Sequence, residues 1–213
     1  MIKIIYIIYI AFLFNQDTFS IVAVDLETGQ VGSAGASCIG GSIIISDVHP
    51  GLGAIHTQSY WNGVNQNTAS NLMSNGLSPL EIIDYLIEND AQSNPSIRQY
   101  GIVDMVNGGR SAAYTGDNCF DYKDHILGQT YSIQGNILLG PEILGNMEYN
   151  FLNTEGTLAD KLMSSLQGAN IPGADSRCLN DNLSSLSAFI RVANPTDDND
   201  LFLDLNVNNV DFI

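Results

Sequence analysis

The side chains able to do chemistry are few and scattered along this chain. His56 and His125 are each a candidate general base by type, although a lone histidine in such a context serves structure as readily as proton transfer. Asp175 and Arg177, within the hexapeptide GADSRC, are spaced to form an ion pair. Such a pair either supports a site or lies on a surface loop, where it contributes little. Asp197-Asp198-Asn199-Asp200 has the charge to hold calcium but not the loop signature, and reads as a solvated turn. Of the cysteines, Cys38 lies in an apolar stretch of small residues and reads as a buried strand position. Cys119 and Cys178 lie in polar, loop-like contexts and make the better pair for a bridge in an oxidising compartment, with three reduced thiols as the alternative. A Cys119–Cys178 bridge requires their Cα atoms to lie within about 7 Å. There is no Walker loop, dinucleotide fingerprint or zinc spacing, so neither a cofactor nor a metal is expected.

The elements that must position these groups can be read from the pattern. Thr18–Asp25 alternates as a strand, Glu27-Thr28-Gly29 supplies turn chemistry, and Gln30–Cys38 is a second strand, so the pair predicts an antiparallel hairpin. The second strand is built of small residues that let another backbone or a ligand approach closely. Ile43–Ile45 and Leu52–Thr57 continue the sheet. Helical spacing follows over Asn62–Asn75. Ser78-Pro79-Leu80-Glu81 is a capping box that opens a helix with Leu80, Ile83, Leu86 and Ile87 on one apolar face. Tyr100–Val106, Ser111–Thr115 and Tyr131–Gln134 return to strand. Pro141–Leu152 and Leu158–Leu166 are helices, and Leu186–Ala193 and Leu201–Val207 are a last strand pair. Runs of strands alternating with runs of helices predict stacked sheets with helices outside. There are no internal repeats, and the chain stops at Ile213 just after a strand, an end consistent with truncation.

The bulk properties narrow the function. A length of 213 residues fits one domain with a substantial core. The net charge is −16, with only seven Lys and Arg. A surface so acidic repels phosphate backbones and anionic lipid heads, so neither nucleic acid nor a membrane surface is an expected partner of the mature chain. At the N-terminus, Lys3 precedes an unbroken apolar run from Ile4 to Phe14, which Asn15 ends. The run is too short to span a bilayer comfortably and has the length of a signal-peptide core. The expectation is a signal peptide over residues 1–15, a domain over 18–213, and a secreted or periplasmic location.

The segments TFSIVAVDLETGQVG, IHTQ, RQYGIVD, AAYTGDNC, YSIQGNILLGPEIL and GADSRC occur in that order. Together they resemble the bacterial family catalogued as domain of unknown function 1028, in particular its exported members, from Thr18 to about Val207. That family is placed in the N-terminal nucleophile (Ntn) hydrolase superfamily. The resemblance therefore implies an α+β fold, a four-layer αββα sandwich, with which the element order agrees.

The resemblance also implies chemistry. The superfamily attacks a carbonyl, usually of an amide, with a Thr, Ser or Cys at the mature N-terminus, and uses that residue's own α-amine as base. Thr18 is then the nucleophile, and Asp25 a residue that orients the amine. Ser37 faces the site from the small-residue strand. Gln134 and Asn136, at a strand end before a helix, offer amide donors to an oxyanion. Two departures stand against activity. Where many family members carry Ser-Lys this chain has Ser37-Cys38, and a cut before Gln16 leaves the Thr18 nitrogen locked in an amide. Three functions follow as rivals: an exported amidohydrolase acting on a peptide or small-molecule amide, a catalytically inactive binding domain on the same fold, and a structural protein. A homo-oligomer is left open.

Overall fold

The computed structural model describes residues 15–16, 18–198 and 200–208. The apolar run Ile4–Phe14, on which the export expectation rests, lies outside them. The chain order is β1 (Asn15–Gln16), β2 (Phe19–Asp25), β3 (Gln30–Ser37), a 3-10 turn (Ser42–Ile45), β4 (Ser46–His49), β5 (Gly53–Tyr60), α1 (Gly63–Ser74), α2 (Pro79–Glu88), β6 (Arg98–Asp104), β7 (Arg110–Thr115), β8 (Asp124–Gly128), β9 (Tyr131–Gly135), α3 (Glu142–Asn153), α4 (Leu158–Gly168), a 3-10 helix (Ser176–Asp181), β10 (Ser187–Ala193) and β11 (Leu203–Val207). The strands form two antiparallel sheets. The first runs β1-β5-β6-β7 with β4 also paired to β5, and the second runs β11-β10-β3-β2-β9-β8.

The β2–β3 hairpin forms as the sequence predicts, in the register Asp25↔Gln30 through Phe19↔Ala36. Asp25 closes the turn, accepting hydrogen bonds from the Glu27 amide and the Thr28 hydroxyl, while Gly29 takes a φ of 75° that favours glycine. Strand alternation then sorts the side chains. Phe19, Ile21, Ala23, Ala34 and Ala36 pack with Ile143, Leu144 and Met147 of α3 and Leu158 and Leu162 of α4. A Cβ at residue 32 would lie 2.5 Å from Leu162 Cδ1, so the small residues of β3 admit side chains of the chain's own helix. On the first sheet, Ile55, Tyr100 and Ile102 pack with Ala69 and Met73 of α1 and Ile82, Ile83 and Leu86 of α2. Val22, Val24, Val31, Ala54 and Val103 pack between the sheets.

Three local expectations need correction, and β8 is a strand that the sequence reading missed. Ile43–Ile45 is part of a 3-10 turn, not a strand. The capping box forms, with Ser78 and Glu81 reciprocally bonded, but Leu80 points to solvent and Ile82 takes its place in the core. Strand β8 has a mixed polar sequence and pairs only at the sheet edge through β9, so its pattern carried no signal. The bridge joins Cys38 to Cys178, with Cα atoms 5.6 Å apart, and Cys119 is instead buried with its thiol on the Arg98 carbonyl. The physical reason is that Cys38 lies one residue past the end of β3, where the chain leaves the sheet and the 3-10 helix carrying Cys178 meets it.

Candidate active site

Thr18 directly precedes β2, and alternation places it with Ser20, Val22 and Val24 on the face toward the first sheet. It is completely buried. Its hydroxyl finds no hydrogen-bond partner among the described residues, an expensive state for a buried polar group. Its carbonyl is held from both sheets. Gln58 Nε2 of β5 and the Asn136 amide after β9 each donate to it at 3.2 Å. One step beyond the Phe19↔Ala36 pair, Ser37 stands beside Thr18 on the same face. Asn136 follows Gly135, the partner of Phe19, so it flanks Thr18 on the other side. The structure thus brings together Thr18, Ser37 and Asn136.

Gln134 belongs to a deeper network. Its Nε2 donates to Ser20 Oγ at 2.7 Å and lies 3.1 Å from His56 Nδ1, and its Oε1 accepts from Ser132 Oγ. Ser20 Oγ in turn donates to Gln58 Oε1 at 2.6 Å. His56 Nδ1 also lies 2.9 Å from Ser20 Oγ, and its Nε2 lies 2.6 Å from Ser33 Oγ. Burial, reinforced by the positive charge of Arg191, pushes the His56 imidazole down to about 3. His56 is therefore neutral and serves as a fixed donor–acceptor link within the interior. Gln99 joins the two parts, accepting from Gln58 and from Asn136 Nδ2, each at 2.8 Å. Gly101 makes room for Gln134, since a Cβ there would lie 1.8 Å from its Oε1.

The backbone is constrained where this network grips Thr18. Ser59 follows Gln58 with φ 59°, and Ile137 follows Asn136 with φ 56°. Left-handed backbone is uncommon for any non-glycine residue and exceptional for a β-branched one, and it persists only where surrounding structure holds it.

Asp25 is not brought to Thr18. It lies at the opposite end of β2, roughly 20 Å away at ~3.3 Å per residue, where it caps the hairpin turn. Its carboxyl is pushed up by burial, yet hydrogen bonds from Thr28 and from backbone amides hold it below the usual range. His125 bonds Thr115 Oγ1, which accepts from Gln99 at the network's edge. Asp175 and Arg177 form a two-pronged ion pair, and Arg177 Nη2 also donates to Ser37 Oγ at 3.2 Å. An apolar cavity of about 360 Å³, lined by Phe19, Ala36, Met163, Leu166 and Leu205 among others, opens beside α4. Thr18 does not line it. Asp197 spends its carboxylate on the Asn194 and Phe202 amides. Sequence reading missed Ser20, Gln58 and Gln99. The pair His56-x-Gln58 was the available signal, but in a strand that also carries Thr57 and Ser59 a polar run reads as a solvent-facing edge.

A comparison with curated proteins found no match. Among solved structures, the chain is similar to protein SPO2555 from Silicibacter pomeroyi, itself assigned to DUF1028, at 22% identity and a TM-score of 0.75, covering 91% of this chain and 82% of that one. Anbu (ancestral beta-subunit) from Yersinia bercovieri matches at 12% identity and a TM-score of 0.43, covering 90% of this chain and 87% of that one. The family model described as "Family of unknown function (DUF1028)" matches residues 18–211, its span opening at Thr18. The chain belongs to that family.

Proposed function

We propose that this protein is a latent N-terminal-nucleophile amidohydrolase on a four-layer αββα sandwich, in which Thr18 becomes active once the residues before it are removed. The observation that carries the reading is the Thr18 hydroxyl: buried, without a partner among the described residues, and flanked by Ser37 and Asn136 while two amide donors fix its carbonyl. The family span opening at Thr18 supports it. A Cys38–Cys178 bridge is at home in an oxidising compartment, which supports a secreted or periplasmic location for a domain over residues 18–213.

In the freed form the Thr18 α-amine takes the hydroxyl proton as Oγ bonds to the substrate carbonyl carbon. Collapse breaks the carbon–nitrogen bond, and that proton passes to the departing amine. Water then attacks the ester by the same route, releasing the acid and restoring Thr18. Asn136 keeps a second amide hydrogen beyond the one given to Gln99, and this hydrogen serves as an oxyanion donor in this reading. The substrate is a peptide or a small-molecule amide, and no cofactor takes part.

One observation favours the inactive binding domain. In the form described, β1 pairs Asn15↔Tyr60 and Gln16↔Ser59, fixing the preceding chain to the first sheet and leaving the Thr18 nitrogen an amide. The two readings separate when a protein beginning at Thr18 is compared with one beginning at Gln16 on a panel of amide reporters. Hydrolysis by the first and not by the second, lost in Thr18→Ala, is the expected result. Equal rates in both, or activity surviving Thr18→Ala, would overturn the nucleophile. Silence from both across the panel selects the binding domain.

A further inference from the structure

We infer that Ser20 is a positioning residue for Thr18, acting through the Gln58 amide, and that His56 is held behind it as the Nδ1–H tautomer. The positioning role rests on the reading of Thr18 as nucleophile; the tautomer does not. Ser20, Ser33, His56, Gln58, Gln99 and Gln134 are all completely buried, so their polar atoms must find partners within the interior. The directions of these bonds follow from backbone carbonyls, which only accept. Gln99 Nε2 donates to the Gly135 and Asp124 carbonyls at 2.8 and 3.1 Å, which turns its Oε1 toward Gln58. Gln58 Nε2 therefore faces two acceptors, Gln99 Oε1 at 2.8 Å and the Thr18 carbonyl at 3.2 Å. That leaves Gln58 Oε1 to Ser20 Oγ at 2.6 Å, a separation that two oxygens reach only with a proton between them. The one hydroxyl proton of Ser20 is thus spent on Gln58.

That proton decides the state of His56. The two lone pairs of Ser20 Oγ meet Gln134 Nε2 at 2.7 Å and His56 Nδ1 at 2.9 Å. With the Ser20 proton already spent, Nδ1 must supply the hydrogen of its own contact. Gln134 does not serve Nδ1 instead. Its Nε2, Ser20 Oγ and His56 Nδ1 form a triangle with sides of 2.7, 2.9 and 3.1 Å, too narrow for the two diverging hydrogens of one amide to reach both other corners. His56, neutral in the interior, then accepts at Nε2 from Ser33 Oγ at 2.6 Å. Ser33 accepts from Ser46 Oγ at 2.8 Å, and Ser46 from Arg191 Nη1 at 3.4 Å, a guanidinium that can only donate. Every link therefore points one way, from Arg191 to the Thr18 carbonyl. An imidazole protonated on Nε2 alone would draw the Ser20 proton to Nδ1 and leave two oxygens facing each other at 2.6 Å. In the observed arrangement Ser20 keeps the Gln58 amide turned toward Thr18, and so fixes the backbone rotation from which the Thr18 hydroxyl is aimed.

Two readouts test this. The first is nitrogen NMR of the uncut chain carrying isotope-labelled histidine, with His49→Gln and His125→Gln each identifying its own signals. The expected His56 spectrum has the proton on Nδ1 and none on Nε2. Ser20→Ala should move that proton to Nε2, because the Gln134 Nε2 donor is then the polar atom left beside Nδ1. Loss of a serine that merely fills space would leave the tautomer unchanged. The second readout uses the full chain with a protease recognition sequence directly before Thr18, cut after folding. It follows adduct formation at Thr18 with a β-lactone by mass spectrometry. Ser20→Ala is expected to lower the limiting rate about tenfold, within the range for a misplaced reacting group. The half-saturating concentration should stay within about twofold of the parent, since orientation rather than binding is lost. Arg110→Gln, at the opposite end of the first sheet and bonded to Asp104, is the control and should label at the parent rate. Each variant is checked for the Cys38–Cys178 bridge and a cooperative melt. If Ser20→Ala fails that check, Ser20→Cys carries both readouts with changes of the same sign, because a thiol is a weaker donor. A proton on Nε2 in the parent overturns the tautomer and the direction of the chain with it. An unmoved tautomer in folded Ser20→Ala, labelling at the parent rate, or a loss confined to the half-saturating concentration overturns the positioning role and leaves the nucleophile standing. Absence of Thr18 labelling in the cut parent overturns the nucleophile reading, and the positioning role with it, whatever the spectrum shows.

Discussion

Ser59 carries two costs at one position: a φ of 59° and a buried hydroxyl without a partner among the described residues. A left-handed L-residue costs roughly 1–2 kcal/mol, and an orphaned buried polar group adds about 1–3 kcal/mol. Ser59→Gly removes both, against an unfolded-chain entropy penalty of about 0.5–1 kcal/mol. The expected net is a gain on the order of 1 kcal/mol, or roughly 2–4 °C in Tm for a chain of this size, measured by thermal melting. Gly101 presents the opposite case. Adding a methyl there collides with Gln134 Oε1 and displaces an amide bonded to Ser20 and Ser132. Gly101→Ala should therefore lose about 2–3 kcal/mol in urea unfolding, as overpacking and broken buried hydrogen bonds combine.

At the scale of elements, the join between the end of β3 and the 3-10 helix Ser176–Asp181 is the covalent seam of the molecule. The Cys38–Cys178 bridge closes a sequence separation of 140 residues. A loop so long restricts the unfolded chain strongly, and removing the bridge by Cys178→Ser should cost about 3–5 kcal/mol. Denaturant unfolding gives the loss, and a non-reducing peptide map gives the pairing; a map joining Cys119 to Cys178 would contradict it. Helix α2 offers a smaller and cleaner measurement. Its Ser78–Glu81 capping box satisfies orphan amides at both ends of the box, so Ser78→Ala should cost about 1 kcal/mol.

For the whole molecule, the interior between the sheets sets the response to acid. Unfolded, His56 titrates near its ordinary 6.5; folded, burial holds it at about 3. Between these values the unfolded chain binds a proton that the native state refuses. This contribution to stability is whole above about pH 6.5 and is lost as the pH falls toward 3, at up to about 1.4 kcal/mol per pH unit. Asp90 acts lower still. Burial pushes its carboxyl up, but Arg98, Asn65 and backbone amides hold it below the carboxylate range, so its share is lost only below about pH 3.9. Urea midpoints taken in steps from about pH 7 to pH 4 should fall steadily, and His56→Gln should flatten that slope whatever it does to the absolute stability. An unchanged slope would remove His56 as the cause.

Local patterns were legible wherever one stretch of chain decides its own structure. The β2–β3 hairpin, the capped α2, the helices α3 and α4 and the final strand pair follow from period, turn residues and caps, all of which act within a few residues. The motifs that carried the family resemblance likewise span local stretches, and the family match over residues 18–211 agrees with the family they named. Thr18 and Asn136 could be named from those motifs and Ser37 from its small-residue strand, but their meeting point could not, because it depends on the register of β3 and β9 across β2. Asp25 shows the limit from the other side: the hairpin that forms as expected carries it to the far end of the strand. Only tertiary structure decided that His56, Gln58 and Gln99 turn inward, since an alternating strand reads the same whether its polar face meets water or a second sheet. It also decided that Cys38, rather than Cys119, meets Cys178. A bridge needs two Cβ atoms within about 4 Å, and that proximity is set by how separate elements pack, a quantity no local run of residues contains.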